Sequence, residues 1–492
     1  MTSINPQRQR HLIRVAQLKG RLSTHELWLR YFALGGAASL VEVDAFLDGA
    51  LDLPVDQRDR LALAVNEHLD SLVGQHRAPY SRAFRHVEPE TGPLAALTSL
   101  LRETHLAPPD AVPVATDSAA ALLGVRTVIY LSDYAQETLV PMPGAHGQGR
   151  PPLGIDATLP GRAFRLLETQ TTISDDGQPR FWMPILDGAE RIGVLDVMVE
   201  DPEDRSDPVL HRQCWWLTHY LGHLLTALDA SGDALDHLRR TQPRSIQAEL
   251  IWQLLPPLTG GTDKVVVTGR IEPSSDVGGD VFDYALSSST AHVAVMDATG
   301  HDLRAGLAAA TALSTYRNAR RQGTGLFGEA EAISRALGDQ FGGEKYATAV
   351  LAELDLDSGR LRYLAAGHPQ PLLMRRGKVV KSLDGGRRPM LGREAKEFAL
   401  GEEQLQPEDT VVIYTDGITE ARRRGSIQFG VERLIDTLDR AAADEMPLPE
   451  VARRVVKAIL DHQQGRLQDD ATLLLLRWTT HGATALAPSS LR

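Results

Sequence analysis

Carboxylates at the ends of apolar runs are the chemistry-bearing feature of this chain. Residues 411–414 (Val-Val-Ile-Tyr) read as a buried strand, which runs into Thr415, Asp416 and Gly417. An aspartate at that point, beside a glycine that lets the backbone turn, aims an oxygen out of a rigid scaffold. It could equally do no more than cap the next helix. The arrangement recurs. Residues 291–296 form a second apolar strand ending at Asp297, before Ala298, Thr299, Gly300 and His301. Asp280 and Asp283 follow the Gly278-Gly279 pair, and Asp469 and Asp470 stand directly before the apolar run 471–476. Brought together, such carboxylates repel, at about 4 kcal/mol for two unit charges about 4 Å apart in an effective dielectric of 20. A divalent cation with hard oxygen ligands, Mg²⁺ or Mn²⁺, removes that cost. Only a fold can bring them together.

The elements that must do so follow a recognisable order. VGGDVFDY (277–284), MDATGHDLRA (296–305), YATA (346–349), AAGHPQPLL (365–373), RRPMLG (387–392), YTDGITEA (414–421) and DDATLLLLR (469–477) together resemble the SpoIIE-like branch of the PPM metal-dependent Ser/Thr protein phosphatases. The resemblance runs over about residues 265–478. It implies a PPM-type α-β-β-α sandwich over 261–480, with two antiparallel sheets face to face and helices outside. It also implies metal-ligating, catalytic roles for Asp280, Asp297, Asp416 and Asp469, with two Mn²⁺ or Mg²⁺ ions. Ala298 would add its backbone carbonyl, and the family pattern assigns the ligand to Asp469 rather than Asp470. Two departures stand out. The family's Gly-His-Gly is Gly300-His301-Asp302 here, and the flap at 387–392 lacks its first glycine. His301 and His368 are the candidates for a general acid, although each also suits a turn. Arg375, Arg376, Arg387, Arg388 and Arg422 to Arg424 read either as a solvated face or as a rim attracting an acidic phosphoprotein.

Composition bounds the rest. A chain of 492 residues, 42% hydrophobic and 24% charged, is too long for one core. A net charge of -12 argues against a nucleic-acid footprint. The lone Cys214 rules out an internal disulfide and a Cys-rich zinc site, and suits a small buried side chain. No apolar run reaches bilayer length, so a cytoplasmic location without membrane attachment is expected.

The chain reads as α+β and multidomain. Residues 1–80 form a helical module, with a capping box at Ser23 and Glu26, a helix start at Pro54, and Trp28, Tyr31, Phe32 and Phe46 as core. Pro108 to Pro113 read as a loop. Residues 94–228 alternate helices and strands, with a hairpin across Asp187-Gly188 and a long amphipathic helix over 208–228. This order resembles a GAF sensory domain, an α/β module that binds small ligands or makes dimers. Residues 229–260 are a helical linker broken at Pro243. The implied function is a phosphoserine/phosphothreonine phosphatase gated by the sensor. It would be a homodimer acting on a phosphorylated anti-sigma-factor antagonist. The rivals are a catalytically weak scaffold that binds such a partner without turnover, kept open by Asp302, and a hydrolase of small phosphate esters.

Overall fold

Ser23 and Glu26 begin a helix as their spacing requires: the serine hydroxyl accepts from the Glu26 N–H (3.2 Å), and the glutamate accepts from the Ser23 N–H (2.8 Å). Ser39 and Glu42 repeat the device, which the sequence reading did not single out. The computed structural model describes residues 5–72, 91–174, 177–272, 276, 278–393, 395, 398–421, 428–464, 467 and 469–479. It divides into two units, Met1–Pro89 and Glu90–Arg492. In the first, α1 (Pro6–Lys19), α2 (Thr24–Ala33), α3 (Leu40–Leu47) and α4 (Val55–Leu72) bury Ile13, Leu27, Tyr31, Phe46, Leu61 and Val65. Phe32 is not core, as expected, but exposed and stacked on Trp28.

The second unit opens with α5 (Pro93–Thr104) and α6 (Val112–Ala121). Pro113 lies in the first turn of α6, where a missing N–H costs nothing, so the predicted loop ends sooner than expected. There follow β1 (Arg126–Ser132), β2 (Thr138–Pro141), β3 (Leu153–Gly154), α7 (Leu159–Leu166), β4 (Gln170–Ile173), β5 (Pro179–Asp187), β6 (Glu190–Met198) and α8 (Pro208–Asp229). The strands make one antiparallel sheet in the order β3-β2-β1-β6-β5-β4. One face packs Ile129, Phe181, Met183 and Leu195 against α5, α6 and α8, with Cys214 in that core and its thiol pushed up to about 12 by burial. The other face is filled by Tyr130, Phe164, Trp182 and Val194, with Arg150 and Arg180 donating to the buried Asp196. The linker forms α9 (Ala234–Arg239) and α10 (Ile246–Leu254), separated around Pro243 as proline requires.

The remaining elements are β7 (Thr259–Gly261), β8 (Val265–Glu272), β9 (Asp280–Leu286), β10 (Thr290–Ala298), α11 (Leu303–Arg321), α12 (Gly325–Phe341), β11 (Ala347–Asp355), β12 (Arg360–Ala366), β13 (Leu372–Arg375) and β14 (Lys378–Ser382). After them come β15 (Arg387–Arg388), β16 (Gly401–Gln404), β17 (Thr410–Tyr414), α13 (Asp416–Thr419), α14 (Gly430–Ala443), α15 (Leu448–His462) and β18 (Ala471–Trp478). They build two sheets, β15-β12-β11-β10-β9 with β16 on β12, and β14-β13-β17-β18-β8-β7. All pairings are antiparallel except β12 with β15. Alternation decides what each face meets. Val267, Ile413, Leu474 and Leu476 share a core with Val293, Val295 and Val350 of the facing sheet, and α11 and α12 cover the far side of that sheet. Val266, Val412, Leu473 and Leu475 turn outward onto Leu434, Leu438, Val455 and Ile459 of α14 and α15. Two sheets face to face with helices outside is the arrangement expected for 261–480.

The sheet of β1 to β6 is tied to α15 by buried charge. Arg191 of β6 donates to Gln136 Oε1 (2.8 Å) and the Pro449 carbonyl (3.1 Å), and pairs with Glu450 (3.5 Å). Arg453 of α15 grips Glu450 with two donors (2.8 and 2.9 Å) and reaches across to Asp156 (2.5 Å). Among the described residues no helix is long and apolar enough to cross a membrane.

Candidate metal centre

Strand pairing brings the first two aspartates together. Asp280 opens β9 and Asp297 closes β10, and they are direct partners in the antiparallel register, so both side chains leave the same face. The other sheet contributes from strand ends. The Thr415 hydroxyl, at the end of β17, donates to Asp280 Oδ2 (2.9 Å) and accepts from the Thr472 N–H (2.9 Å), fixing the carboxylate to both sheets. Asp416 follows at the start of α13, and Asp469 stands just before β18.

Asp470 has a different task. Its Oδ2 accepts from the N–H groups of Gly278 (2.8 Å), Gly279 (2.7 Å) and Asp280 (3.4 Å), so it holds the loop that delivers Asp280. The sequence reading missed this role and that of Thr415; the doubled aspartate and the threonine preceding Asp-Gly were the available signals. Two glycines are needed for close approach. A Cβ on Gly279 would lie 2.3 Å from the Ala298 carbonyl oxygen, and one on Gly417 1.8 Å from the Asp470 carbonyl oxygen.

The electrostatics are one-sided. Burial pushes the Asp280 carboxyl well above its ordinary range, and Asp297 and Asp470 push it further. Asp297 is raised to about 7 by burial and then by Asp416, Asp469 and Asp470. Asp416 is raised by burial, Asp469 and Glu420. Asp470 is raised by burial, although its three N–H donors pull the other way. Asp297 is thus within electrostatic reach of Asp280 on one side and of Asp416 and Asp469 on the other. Among the described residues no three His, Cys, Asp or Glu side chains close on a single point, which accords with carboxylates that repel. Asp280 is buried, Asp297 is partly buried, and Asp416 and Asp469 are exposed, and their hard oxygen donors fit Mg²⁺ or Mn²⁺.

Other candidates lie elsewhere. Asp302 is the N-cap of α11, accepting from the Ala305 N–H (2.9 Å), and that bond lowers its pKa. Its carboxylate serves the helix and also faces Lys345 (3.5 Å). Asp283 is ion-paired to Arg317 and Arg320 (2.7 Å each). His368 is buried beside Thr348 (2.7 Å), the residue paired with Asp297, and burial drives its pKa down to about 3. Neutral at physiological pH, it has no proton to give as an acid. His301 lies on an exposed bend. Two of the expected rim arginines are structural. Arg388 is buried against Glu331 and the Phe398 ring, and Arg375 is held by Asp409 (2.6 Å). Arg376 and Arg387 are exposed, while Arg422, Arg423 and Arg424 lie outside the described residues.

Residues 287–479 match the family model described as stage II sporulation protein E (SpoIIE). That region is similar to the SpoIIE family. Among curated proteins, the chain is 28% identical over 131 residues to protein IcfG of Synechocystis, covering 26% of this chain and 20% of the relative. It is 20% identical over 208 residues to the phosphoserine phosphatase RsbU of Bacillus subtilis, covering 42% and 61%. The chain thus spans less than two thirds of the length of each. Among solved structures, the SiaA-PP2C domain of Pseudomonas aeruginosa matches at 22% identity and a TM-score of 0.40, over 51% of this chain and 98% of that one. The matched region carries all the predicted aspartates except Asp280, which lies just ahead of the matched span on the strand paired with Asp297.

Proposed function

We propose that the chain is a divalent-metal-dependent phosphoserine/phosphothreonine protein phosphatase governed by the domain that precedes its SpoIIE-like region. The observation that carries this is that Asp297 faces Asp280 across the β9–β10 pair and is repelled by Asp416 and Asp469, so that carboxylates are the charged neighbours of one another. These four, with the Ala298 carbonyl, would hold two Mn²⁺ or Mg²⁺ ions. When bound, such ions neutralise phosphate oxygens and acidify water enough to attack at neutral pH. The chain's own residues do the positioning. Thr415 locks the Asp280 carboxylate, Asp470 fixes the Gly278-Gly279 turn, and the neutral His368 with Thr348 buttresses the strand facing Asp297. The substrate in this reading is a phosphorylated anti-sigma-factor antagonist, by analogy with the phosphoserine phosphatase RsbU. Residues 94–228 act as a GAF-like sensor, and α8, with Trp216 half exposed, supports a cytoplasmic homodimer. The test is phosphate release from a phosphoserine peptide. Release that needs added Mn²⁺ and stops with EDTA is expected; release unaffected by EDTA, or none with any divalent ion, would overturn the proposal.

A further inference from the structure

Well apart from the aspartate cluster, a cavity of about 400 Å³ sits where the end of β1, the start of β6, the C-terminus of α8 and the α9–α10 linker converge. That is the size of a small-molecule site. Its apolar lining comes from Leu131, Ile192, Leu225, Leu235 and Leu258. Tyr134 and Trp252 stand 5.2 Å apart at its wall, and the Arg244 guanidinium lies against both rings (4.1 and 4.7 Å).

Two polar atoms in this lining are buried without a hydrogen-bond partner among the described residues: Asp229 Oδ1, an acceptor, and Arg244 Nη2, a donor on a side chain only 4% exposed. The neighbouring charges are engaged otherwise. Arg240 pairs with Asp236 and Glu249, Arg239 donates to the Ser132 carbonyl and lies over Tyr134, and the Tyr134 hydroxyl donates to Asp236. The ion pairs of Arg244 itself, to Asp236 (3.7 Å) and Glu249 (3.9 Å), are long and both use Nη1. A buried polar group left without a partner is costly, so both call for one.

We propose that this cavity binds a free α-amino acid with an apolar side chain, its ammonium on Asp229, its carboxylate on Arg244, and its side chain against the leucine- and isoleucine-lined wall. A simple anion would leave Asp229 unsatisfied and a simple cation would leave Arg244 so; a zwitterion meets both. Water could meet the two polar atoms but gains nothing from the apolar wall. The site touches the sensor sheet, α8, the linker and residues 255–258 leading into β7, so an occupant bears on the connection between the two domains.

Isothermal titration of the full chain tests this with L-leucine, L-phenylalanine, N-acetyl-L-leucine and L-leucinamide. At least one free amino acid should bind with a Kd below about 1 mM. The acetylated analogue, which lacks the ammonium, and the amide, which lacks the carboxylate, should each bind at least about tenfold more weakly than L-leucine. Asp229→Asn should weaken binding similarly while leaving the ligand-free melting temperature unchanged, and Arg244→Gln should also weaken binding. Because Arg244 packs between two rings, Asp229→Asn and the analogue series decide the matter if Arg244→Gln does not fold. No saturable heat from either free amino acid means a cavity holding water only and overturns the proposal, as does equal binding of the acetylated analogue. Neither result depends on whether the chain releases phosphate.

Discussion

Two acidic regions of this molecule are buried in opposite ways. Around Asp280 and Asp297 the neighbouring charges that act most strongly among the described residues are other carboxylates. Around Glu450, Arg191, Arg453, Arg165 and Arg454 all stand within ion-pair distance. Burial alone is common to both, so burial does not mark function. The sign of the surroundings does. A carboxylate encircled by arginine is finished as a structural joint, whereas carboxylates facing one another raise the energy of the fold until a cation joins them.

The comparison can be broken most forcefully at the first region. Asp416→Asn and Asp469→Asn should each cut phosphate release by about a thousandfold, near 4 kcal/mol of transition-state stabilisation. The metal-free melting temperature should hold or rise, because a repelling charge has gone. Asp470→Ala should behave otherwise, lowering the metal-free melting temperature as three N–H groups lose their acceptor. Loss of metal-free stability in Asp469→Asn would reverse the two assignments.

At the second region, Glu450→Gln leaves Arg191 buried opposite a neutral amide and should cost about 3–4 kcal/mol in a urea titration. A loss under about 1 kcal/mol would show that the arginines there are adequately served by Asp156, Gln136 and the Pro449 carbonyl.

Glu190 sharpens the contrast, since it adjoins the arginine-rich region yet has one backbone N–H, from Thr259, as its donor. Burial raises its pKa to about 7 from 4.5. A raised acid favours the folded state at low pH, and that advantage is lost as pH climbs through the window from about 4.5 to 7. Stability with EDTA present should fall across this window and flatten above it. Glu190→Gln should remove up to about 3 kcal/mol of that fall. An unchanged slope would place the titration elsewhere.

The smallest effect is expected at Asp302→Gly. Glycine still serves as an N-cap, so the change should cost a few tenths of a kcal/mol and leave kcat within about twofold. A large gain in activity would mean that the extra carboxylate restrains the loop beside the aspartates.

Much of this was legible in the residues. Strands ending in Asp297 and Asp416, the Gly278-Gly279 pair and the doubled Asp469-Asp470 were readable as strand ends and turns, because alternation and glycine act locally, whereas their meeting in space was implied only by the family resemblance. What escaped depends on long-range partners. Nothing near Arg191 announces Glu450, 259 positions away, and Arg375 and Arg388 looked like solvent-facing charge until Asp409 and Glu331 were placed beside them. Asp302 looked like a defect in a motif because its acceptor role is met by an N–H three residues on, which a motif comparison does not weigh. Pro113 looked like a breaker because a first-turn proline and a loop proline are the same letter.

The bond from Thr415 to Asp280 spans 135 positions, and those from Asp470 to Gly278 and Gly279 span 192 and 191. Contacts of such separation close only after long loops have been drawn in, so they form late. A nascent or half-folded chain can already hold the β9–β10 hairpin, with Asp280 beside Asp297, yet has no second sheet to complete the cluster. If the chain is the phosphatase proposed, newly made chains would stay silent until both sheets dock, and the onset of phosphate release during refolding would time that docking.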